Sequence, residues 1–497
     1  MIGIGADQLA FGQGIAGGSP FVRRGAAPGV PTAVVSGLGP NGVLAALELL
    51  RAGYHVTVVE KRPAYTRPIH LHLRQSYLDD VRRLSPKLHA KLMALATPIE
   101  AMERRPMSPL PWPAAHPAAS GEDLAIRARL TQEPVMHVRL DSVERLFYTY
   151  LNGLTGLQYG LDPAHRLTIR RGFTLELEAD ADGRHHASIR PVDVDDPKAP
   201  AAESLGVPDL VVLAEGGKST SVRTLGLDSV RFSYAKYFMS AHVDLPFGPR
   251  TRRVDSTVRA LTRGRCASPA AVSLWACGHG DPKQGTWIVL EVPEDLIAQS
   301  PDQALEYFAD GAAMLLGGDA EAVRRAVRAS VGSGNQLTSS RRAGAGPDGA
   351  ASGTPFAGTF KFEQQCLRRP AVGANVVVLG DSAGMGHHAL SSGLEMGACD
   401  LGPLRRLAAE LVEGREACEA VSRYADRVFR SRLTLLSLGM REYYPQLEVD
   451  PIDLLHRAAD IADERGVVGA CEAFEALLAD LDRRDEAEAE SERAIAA

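Results

Sequence analysis

The sequence predicts an α/β fold whose parallel sheet is assembled from segments far apart in the chain, and three observations carry that prediction. A complete strand–turn–helix–strand unit occupies residues 32–60. Two later apolar runs, 209–213 and 375–379, each lead into a glycine-bearing turn. Around them, residues 166–193 and 229–300 show the short, alternating apolar runs of antiparallel strands.

The first unit opens with the apolar run Thr32-Ala33-Val34-Val35, the composition of a buried parallel strand. Gly37, Gly39 and Gly42 follow with G-x-G-x-x-G spacing. Val43, Leu44, Leu47, Leu49 and Leu50 then form a helical apolar face that stops at Gly53, and a second strand, 55–59, runs into Glu60. The spacing has a physical reason. The first glycine permits a tight turn, the second lets the backbone approach a pyrophosphate, and the third lets helix and strand pack closely. The helix N-terminus offers unpaired N–H groups and a positive dipole end to the phosphates. Glu60 stands where a carboxylate accepts from a ribose hydroxyl, and it would repel a 2′-phosphate. The expected ligand is therefore FAD or NAD.

The 497 residues suffice for two or three domains with well-buried cores. A hydrophobic content of 45% and a charged content of 23% are those of an ordinary globular protein. The net charge of −6, with no dense basic tract, gives no case for nucleic acid. The 6 cysteines lack C-x-x-C spacing, so neither a zinc site nor a disulfide framework is expected, and a reducing, cytoplasmic setting is the simplest reading. No apolar run approaches the roughly 18 residues of a membrane span. Residues 1–31 read as a disordered extension without a signal-peptide pattern.

Past Glu60, the basic residues Arg62, Arg67 and Arg74 reach either a pyrophosphate or ribityl chain, or only solvent. The proline-rich span 105–120 reads as a loop, over a pocket or as a floppy insertion. A strand at 135–140 leads into a helix from Asp141 to about 151, with Asp141 or Ser142 as its N-cap. Residues 302–330 are helical, 342–355 form a Gly/Ala/Ser-rich loop, and beyond Gly402 the chain is mostly helical, with a charged tail at 482–497.

The Gly37/Gly39/Gly42 loop with Glu60, the 209–223 strand and turn, and the strand ending Gly380-Asp381 together resemble the FAD-dependent aromatic hydroxylases. These are the class A flavin monooxygenases typified by p-hydroxybenzoate hydroxylase. The resemblance covers roughly 32–410. In its middle motif Gly217, Val222 and Arg223 match, while Gly216 and Thr220 replace the family's Asp and Ser, and Glu215 lies one residue early. In its last motif Gly380, Asp381, Ala383, Gly393 and Asp400 match. Gly384, His388 and Ser391 depart from it, and Ser391-Ser392-Gly393 resembles the same loop of flavin-dependent halogenases. The halogenase W-x-W-x-I-P motif has no counterpart in 286–293. Glu60-Lys61-Arg62-x-Ala64-Tyr65-Thr66-Arg67 is similar to the MICAL flavin monooxygenase domains, where the acid and both arginines bind FAD. Arg139 matches the family's Arg or Gln near the flavin.

The resemblance implies a Rossmann-like (GR2-type) FAD-binding domain with an inserted antiparallel β-sheet substrate domain and a C-terminal helical region. The FAD-binding domain would comprise 32–165, 205–228 and 356–410, the substrate domain 166–204 and 229–355, and the helical region 411–497. The implied cofactor ligands are Gly37, Gly39, Gly42, Glu60, Arg62, Arg67, Arg74, Arg139, Gly217, Gly380, Asp381, Ser391, Ser392 and Gly393. The implied reaction uses FAD, with NADPH or NADH as reductant and O₂. A flavin C4a-hydroperoxide hydroxylates or epoxidises a small aromatic or polyketide-like substrate. The flavin carries the hard step, so no catalytic triad or metal cluster is needed. His387 and His388 are either proton shuttles near the isoalloxazine or ordinary loop histidines. His70 and His72 share one face of an extended piece without enough further ligands for a metal. Tyr234, Tyr237 and Phe238 either line a pocket or fill a core. Three alternatives remain: a reductase or oxidase of the geranylgeranyl-reductase type, a halogenase, and a non-catalytic FAD-binding interaction protein. Oligomeric state is not encoded in any motif.

Overall fold

The computed structural model describes residues 29–443 apart from 64, 66–69, 106–120, 156–166, 193–201, 228, 232–235, 257–271, 279–284, 293–300, 318, 333–359, 363–364 and 387–392. Its organising layer is a six-stranded sheet. β1 (Thr32–Ser36) and β2 (His55–Glu60) pair in parallel around the helix α1 (Pro40–Arg51). Both strands have apolar cores, as strands covered on both faces must. Pro40 opens α1, where a missing N–H costs nothing, and Gly53 at φ 88° turns the chain back toward β2.

The chain then builds a small mixed layer. β3 (His70–Arg74) enters α2 (Gln75–Leu84) and α3 (Pro86–Leu95), followed by β4 (Thr97–Pro98) and β5 (Ala101–Arg105). α4 (Gly121–Thr131) precedes β6 (Pro134–Arg139), which pairs with both β3 and β4, and α5 (Leu140–Thr155) follows. Ser85 caps α3, its Oγ accepting from the Leu88 N–H at 3.0 Å.

β7 (Leu167–Arg171) is the first departure from expectation. It runs parallel to β2 as the edge of the nucleotide-binding sheet. β8 (Phe173–Ala179), β9 (His185–Pro191) and β10 (Glu203–Gly206) form an antiparallel sheet whose Leu175, Ala187 and Ile189 bury in the same core. The described strands β7 to β10 of the span 166–204 thus pack with the nucleotide-binding unit rather than with the second sheet. An edge strand buries one face whichever sheet it joins, so alternation alone does not assign its partners. β11 (Leu210–Leu213), fully buried, lies beside β1 and leads to the short α6 (Thr220–Thr224).

β12 (Ser229–Arg231) precedes the second large sheet, built from β13 (Lys236–Val243), β14 (Arg250–Ser256), β15 (Val272–Gly278) and β16 (Thr286–Val292). α7 (Pro301–Leu316) and α8 (Ala320–Gly332) cover one face of it, packing Tyr307, Phe308 and Val327 on Met239, Ala241, Ile288 and Leu290. Gly317 at φ 73° splits the expected single helical stretch into this pair. β17 (Phe360–Phe362) and β5 complete the sheet at opposite edges, in the order β17-β13-β16-β15-β14-β5. Both edge strands come from spans expected in the first unit.

β18 (Gln365–Leu367) pairs with β12, and β19 (Ala371–Val372) and β20 (Val376–Val378) return the chain to the first sheet. That sheet has the order β19-β20-β11-β1-β2-β7. A 3₁₀ turn at Gly380–Ser382, β21 (Gly384–Met385), α9 (Gly393–Cys399), α10 (Leu401–Val412) and α11 (Ala417–Tyr443) finish the described chain. No helix among the described residues is long and apolar enough to cross a membrane. The extension 1–28 and the residues beyond 443 lie outside the described residues, as does the 106–120 loop.

Candidate functional site

The glycine loop sorts its three glycines by role. Gly37 adopts φ 104°, its N–H donates to the Val59 carbonyl at 2.7 Å, and a Cβ there would collide with the Ala214 carbonyl of the neighbouring turn. A Cβ on Gly42 would strike the Gly37 carbonyl, so this glycine lets α1 sit against the loop. Gly39 differs. Its backbone is extended (φ −74°, ψ 174°) and a Cβ would meet nothing within 4 Å. It is the N-cap of α1 and supplies no side-chain cap, so the first N–H groups of the helix face a clear space. Asn41, in the first turn of α1, holds its Oδ1 buried with no donor among the described residues.

Glu60 closes this space from the end of β2. Its carboxylate accepts from the N–H of Leu38 (2.9 Å), the N–H of Arg62 (2.8 Å), and Arg62 Nε (3.0 Å) and Nη2 (3.2 Å). Burial pushes this carboxyl up, but Arg62 and the two backbone N–H groups outweigh it, and the group ends below the ordinary glutamate range. Arg62 also donates to Glu144 at 3.0 Å, and these two carboxylates raise its guanidinium against the opposing effect of burial. Arg171, opposite Glu60 in the β2–β7 register, lies over the rings of Tyr65 (4.7 Å) and Tyr148 (4.6 Å), two cation–π contacts.

The middle segment compensates for its departures. Glu215 accepts from Ser36 Oγ (2.5 Å), Ser219 Oγ (2.6 Å), Ser221 Oγ (2.7 Å) and the Ser221 N–H (3.1 Å). Burial pushes Glu215 up, yet these bonds hold it below the ordinary range. The carboxylate therefore ties the end of β1 to the start of α6, one residue before the position where the family carries its acid. Gly217 packs against Met385, whose thioether occupies the space a Cβ would need.

The third segment is held by a buried ion pair. The Gly380 N–H donates to Asp400 Oδ2 (2.8 Å), and Arg432 Nη2 donates to the Gly380 carbonyl (2.9 Å). Arg432 itself grips Asp400 through Nη1–Oδ1 (3.0 Å) and Nη2–Oδ2 (2.6 Å). Asp400 is 0% and Arg432 1% exposed. Burial pulls the guanidinium down, and the charge and hydrogen bonds of Asp400 more than offset it. Burial also leaves the Asp400 carboxyl above its ordinary value despite Arg432, because desolvation is the larger effect there. Asp381, half-buried, sits beside Gly393, and Asn41 Nδ2 donates to the Gly393 carbonyl at 3.4 Å. The first and third segments thus meet at the start of α1.

Other expected ligands engage neighbouring protein groups. Arg74 is buried and donates to the carbonyls of Gln132 (2.7 Å) and Leu130 (3.2 Å) at the end of α4. Arg139 bonds Asp141 (3.1 and 2.9 Å), which sits in the first turn of α5 and also receives Arg145. Phe238 is buried with Cys277, Trp287 and Val289. Arg67, Tyr234, His387, His388, Ser391 and Ser392 lie outside the described residues. Among the described residues no group of three His, Cys, Asp or Glu side chains is placed to hold a metal.

Sequence reasoning missed Asn41, Glu144, Arg171 and Arg432. It also did not foresee that His70 and His72 of β3 meet His137 of β6 and, from the second sheet, His242, Cys277 and Trp287. His70 Nδ1 lies 3.3 Å from His137 Nδ1, and the His70 ring stacks on Trp287 at 5.3 Å.

No protein-family model matches the chain, and no curated protein matches it. Solved structures do, and together they define a class: the chain has the fold of the FAD-dependent monooxygenases. The p-nitrophenol 4-monooxygenase PnpA from Pseudomonas putida DLL-E4 is 16% identical with a TM-score of 0.56, over 91% of this chain and 98% of that one. A triple mutant of the flavin-dependent brominase Bmp2 is 14% identical with a TM-score of 0.55, over 91% of this chain and 99% of that one. PqsL, a probable FAD-dependent monooxygenase from Pseudomonas aeruginosa, is 15% identical with a TM-score of 0.54, over 86% and 99% of the two chains.

Proposed function

We propose that this chain is an FAD-dependent monooxygenase that uses NAD(P)H and O₂ to hydroxylate, or epoxidise, a small aromatic or polyketide-like molecule. One observation carries the reading. Three sequence-distant segments converge on the uncapped start of α1, and of the three loop glycines Gly37, Gly39 and Gly42 it is Gly39, the position whose role is to admit a pyrophosphate, that has clear space in front of it. The groups present fit FAD. The α1 N–H groups take the pyrophosphate, Glu60 takes the ribose, and Arg62 and Arg67 support them. Gly380, Asp381 and the Ser391-Ser392-Gly393 loop take the ribityl side. When bound, the flavin supplies reducing equivalents from the nicotinamide to O₂ and delivers one oxygen atom to the substrate.

The chain's own residues hold and enclose this chemistry. The Asp400–Arg432 pair fixes the Gly380 turn, and Glu215 fixes the middle turn against β1. The second sheet, with β5 and β17 at its edges, is the substrate domain, and His387 and His388 serve as proton carriers near the ring. The free thiols of Cys277, Cys366, Cys399 and Cys418 suit a reducing cytoplasm. That neighbours of this fold include a p-nitrophenol monooxygenase and a tetracycline destructase, Tet(55), supports a small cyclic substrate. The brominase neighbour and the Ser391-Ser392-Gly393 loop favour halogenation as the second reading.

The test is turnover with FAD, NADPH and labelled O₂ over a panel of phenols and enols, with and without bromide. Incorporation of one labelled oxygen atom, coupled to NADPH oxidation, supports the monooxygenase. A brominated product without labelled oxygen supports the halogenase. Tight FAD binding with no turnover of any substrate contradicts both.

A further inference from the structure

The acceptor capacity of Glu60 is fully spent, and it is spent symmetrically. Each carboxylate oxygen takes one bond from the backbone and one from the Arg62 side chain. Oε1 accepts from the Arg62 N–H (2.8 Å) and Arg62 Nε (3.0 Å), while Oε2 accepts from the Leu38 N–H (2.9 Å) and Arg62 Nη2 (3.2 Å). A carboxylate offers about four lone-pair sites, so a further donor reaches Glu60 only by replacing one of these. The two backbone donors are held by the chain just after β1 and just after β2. The guanidinium is not held in that way. Arg62 is 27% exposed and Glu60 3%, so a ligand approaching the carboxylate meets the guanidinium first.

Arg62 also has a second place to rest. Its Nη1 already bonds the buried Glu144 of α5 at 3.0 Å, and its guanidinium lies 5.2 Å from the centre of the Tyr65 ring. Arg171 is engaged elsewhere: it lies over Tyr65 and Tyr148, and its Nε donates to the Arg62 carbonyl at 3.3 Å. Moving the Arg62 side chain off Glu60 therefore opens one acceptor position on each oxygen, side by side, while both backbone bonds stay. Two neighbouring hydroxyls fit that opening, one to each oxygen. A single hydroxyl does not, because it leaves the other oxygen of a buried carboxylate short of a donor, which is costly.

We infer that Arg62 is a displaceable latch that makes the Glu60 site selective for a vicinal cis-diol. The adenosine ribose enters by exchanging its 2′ and 3′ hydroxyls for Arg62 Nε and Nη2, and Arg62 then supports the bound state from Glu144 and Tyr65. The inference rests on the FAD reading of the α1 site and adds that the two hydroxyls act together. A ligand with one hydroxyl does not offset the lost guanidinium bonds, so the latch stays closed and that hydroxyl contributes nothing. Without the Arg62 side chain, each hydroxyl contributes independently.

The test measures displacement of FAD from the purified protein by ADP, 2′-deoxy-ADP, 3′-deoxy-ADP and 2′,3′-dideoxy-ADP, read by flavin fluorescence. The wild type is expected to bind ADP about tenfold more tightly than the other three, the order of one hydrogen bond to a charged group, and to bind those three equally. In Arg62→Met, ADP binds about tenfold more tightly than to the wild type, and each hydroxyl removed costs about tenfold in turn. Glu144→Gln removes the charge that receives the latch, so ADP affinity falls about fivefold while the dideoxy compound binds as before. Circular dichroism confirms that both variants fold, and the wild-type series stands without them. Equal stepwise losses in the wild type overturn the proposal. So does weaker ADP binding by folded Arg62→Met, the result expected of an arginine that itself contacts the cofactor. FAD binding with either of these outcomes sinks the latch alone, and no FAD binding by the wild type sinks the cofactor reading and the latch with it.

Discussion

Replacing Gly39 with Ala separates cofactor binding from folding. The Gly39 backbone is extended and a Cβ there meets nothing, so the apoprotein accepts alanine without strain. Alanine is a poorer N-cap than glycine by roughly 0.5–1 kcal/mol. It also restricts the unfolded chain, which returns about 0.4–1 kcal/mol. The two nearly cancel, so the apoprotein should melt as the wild type does. The holoprotein should not. A methyl group in front of the α1 N–H groups keeps a pyrophosphate from the backbone, and a hundredfold loss of affinity corresponds to about 2.7 kcal/mol. At a FAD concentration of about 1,000 times the wild-type Kd, FAD stabilises the wild type by about 4.1 kcal/mol and the variant by about 1.4 kcal/mol. Thermal melts with and without FAD, with Kd from calorimetry, read both quantities. Gly42→Ala is the control: its Cβ strikes backbone, so the apoprotein itself should lose stability. A Gly39→Ala protein that binds FAD like the wild type, or an apoprotein as damaged as Gly42→Ala, would refute this division of roles.

Further outcomes follow from the two carboxylate clamps. Arg432→Met leaves Asp400 buried without its partner and should cost about 3–5 kcal/mol in urea denaturation, part of which Asp400→Asn in the same chain should restore. Glu60 and Glu215 both sit below the ordinary glutamate value of 4.5 in the folded state, so the stability they contribute is complete above that value. It is lost as pH falls through their lowered folded values, because the unfolded chain takes up those protons first. Glu215→Gln should therefore flatten the acid limb of a stability–pH curve measured by chemical denaturation. An unchanged limb would mean that Glu215 is not ionised in the folded protein.

What was legible in the sequence was whatever contacts a near neighbour. The glycine spacing encodes the loop because Gly37 and Gly42 touch each other, and Glu60 reaches back to Leu38 over one helix. Gly317 breaks the expected single helix 302–330 in two, and that break was not read from the sequence because apolar periodicity alone does not reveal a positive φ. Sheet membership was not legible: β5, β7 and β17 are edge strands, and an edge strand takes its identity from a partner far away in the chain. The same holds for side-chain partners. No local signal on α11 links Arg432 to Gly380, and none on β6, β13 or β16 links His137, His242 and Trp287 to the His70-x-His72 pair. Glu215 stood one residue from the expected acid, and only the turn geometry shows its carboxylate gathering Ser36, Ser219 and Ser221.

The most direct test of the central claim is the absorbance spectrum of the purified protein before and after anaerobic addition of NADPH. The account predicts bands near roughly 370 and 450 nm from a bound isoalloxazine, bleached by the reductant, with faster bleaching when a substrate is present. A protein that shows no flavin bands, even after reconstitution with FAD, would contradict the assignment of the α1 site. Bands that NADPH and NADH both leave intact would contradict the proposed use of a nicotinamide reductant.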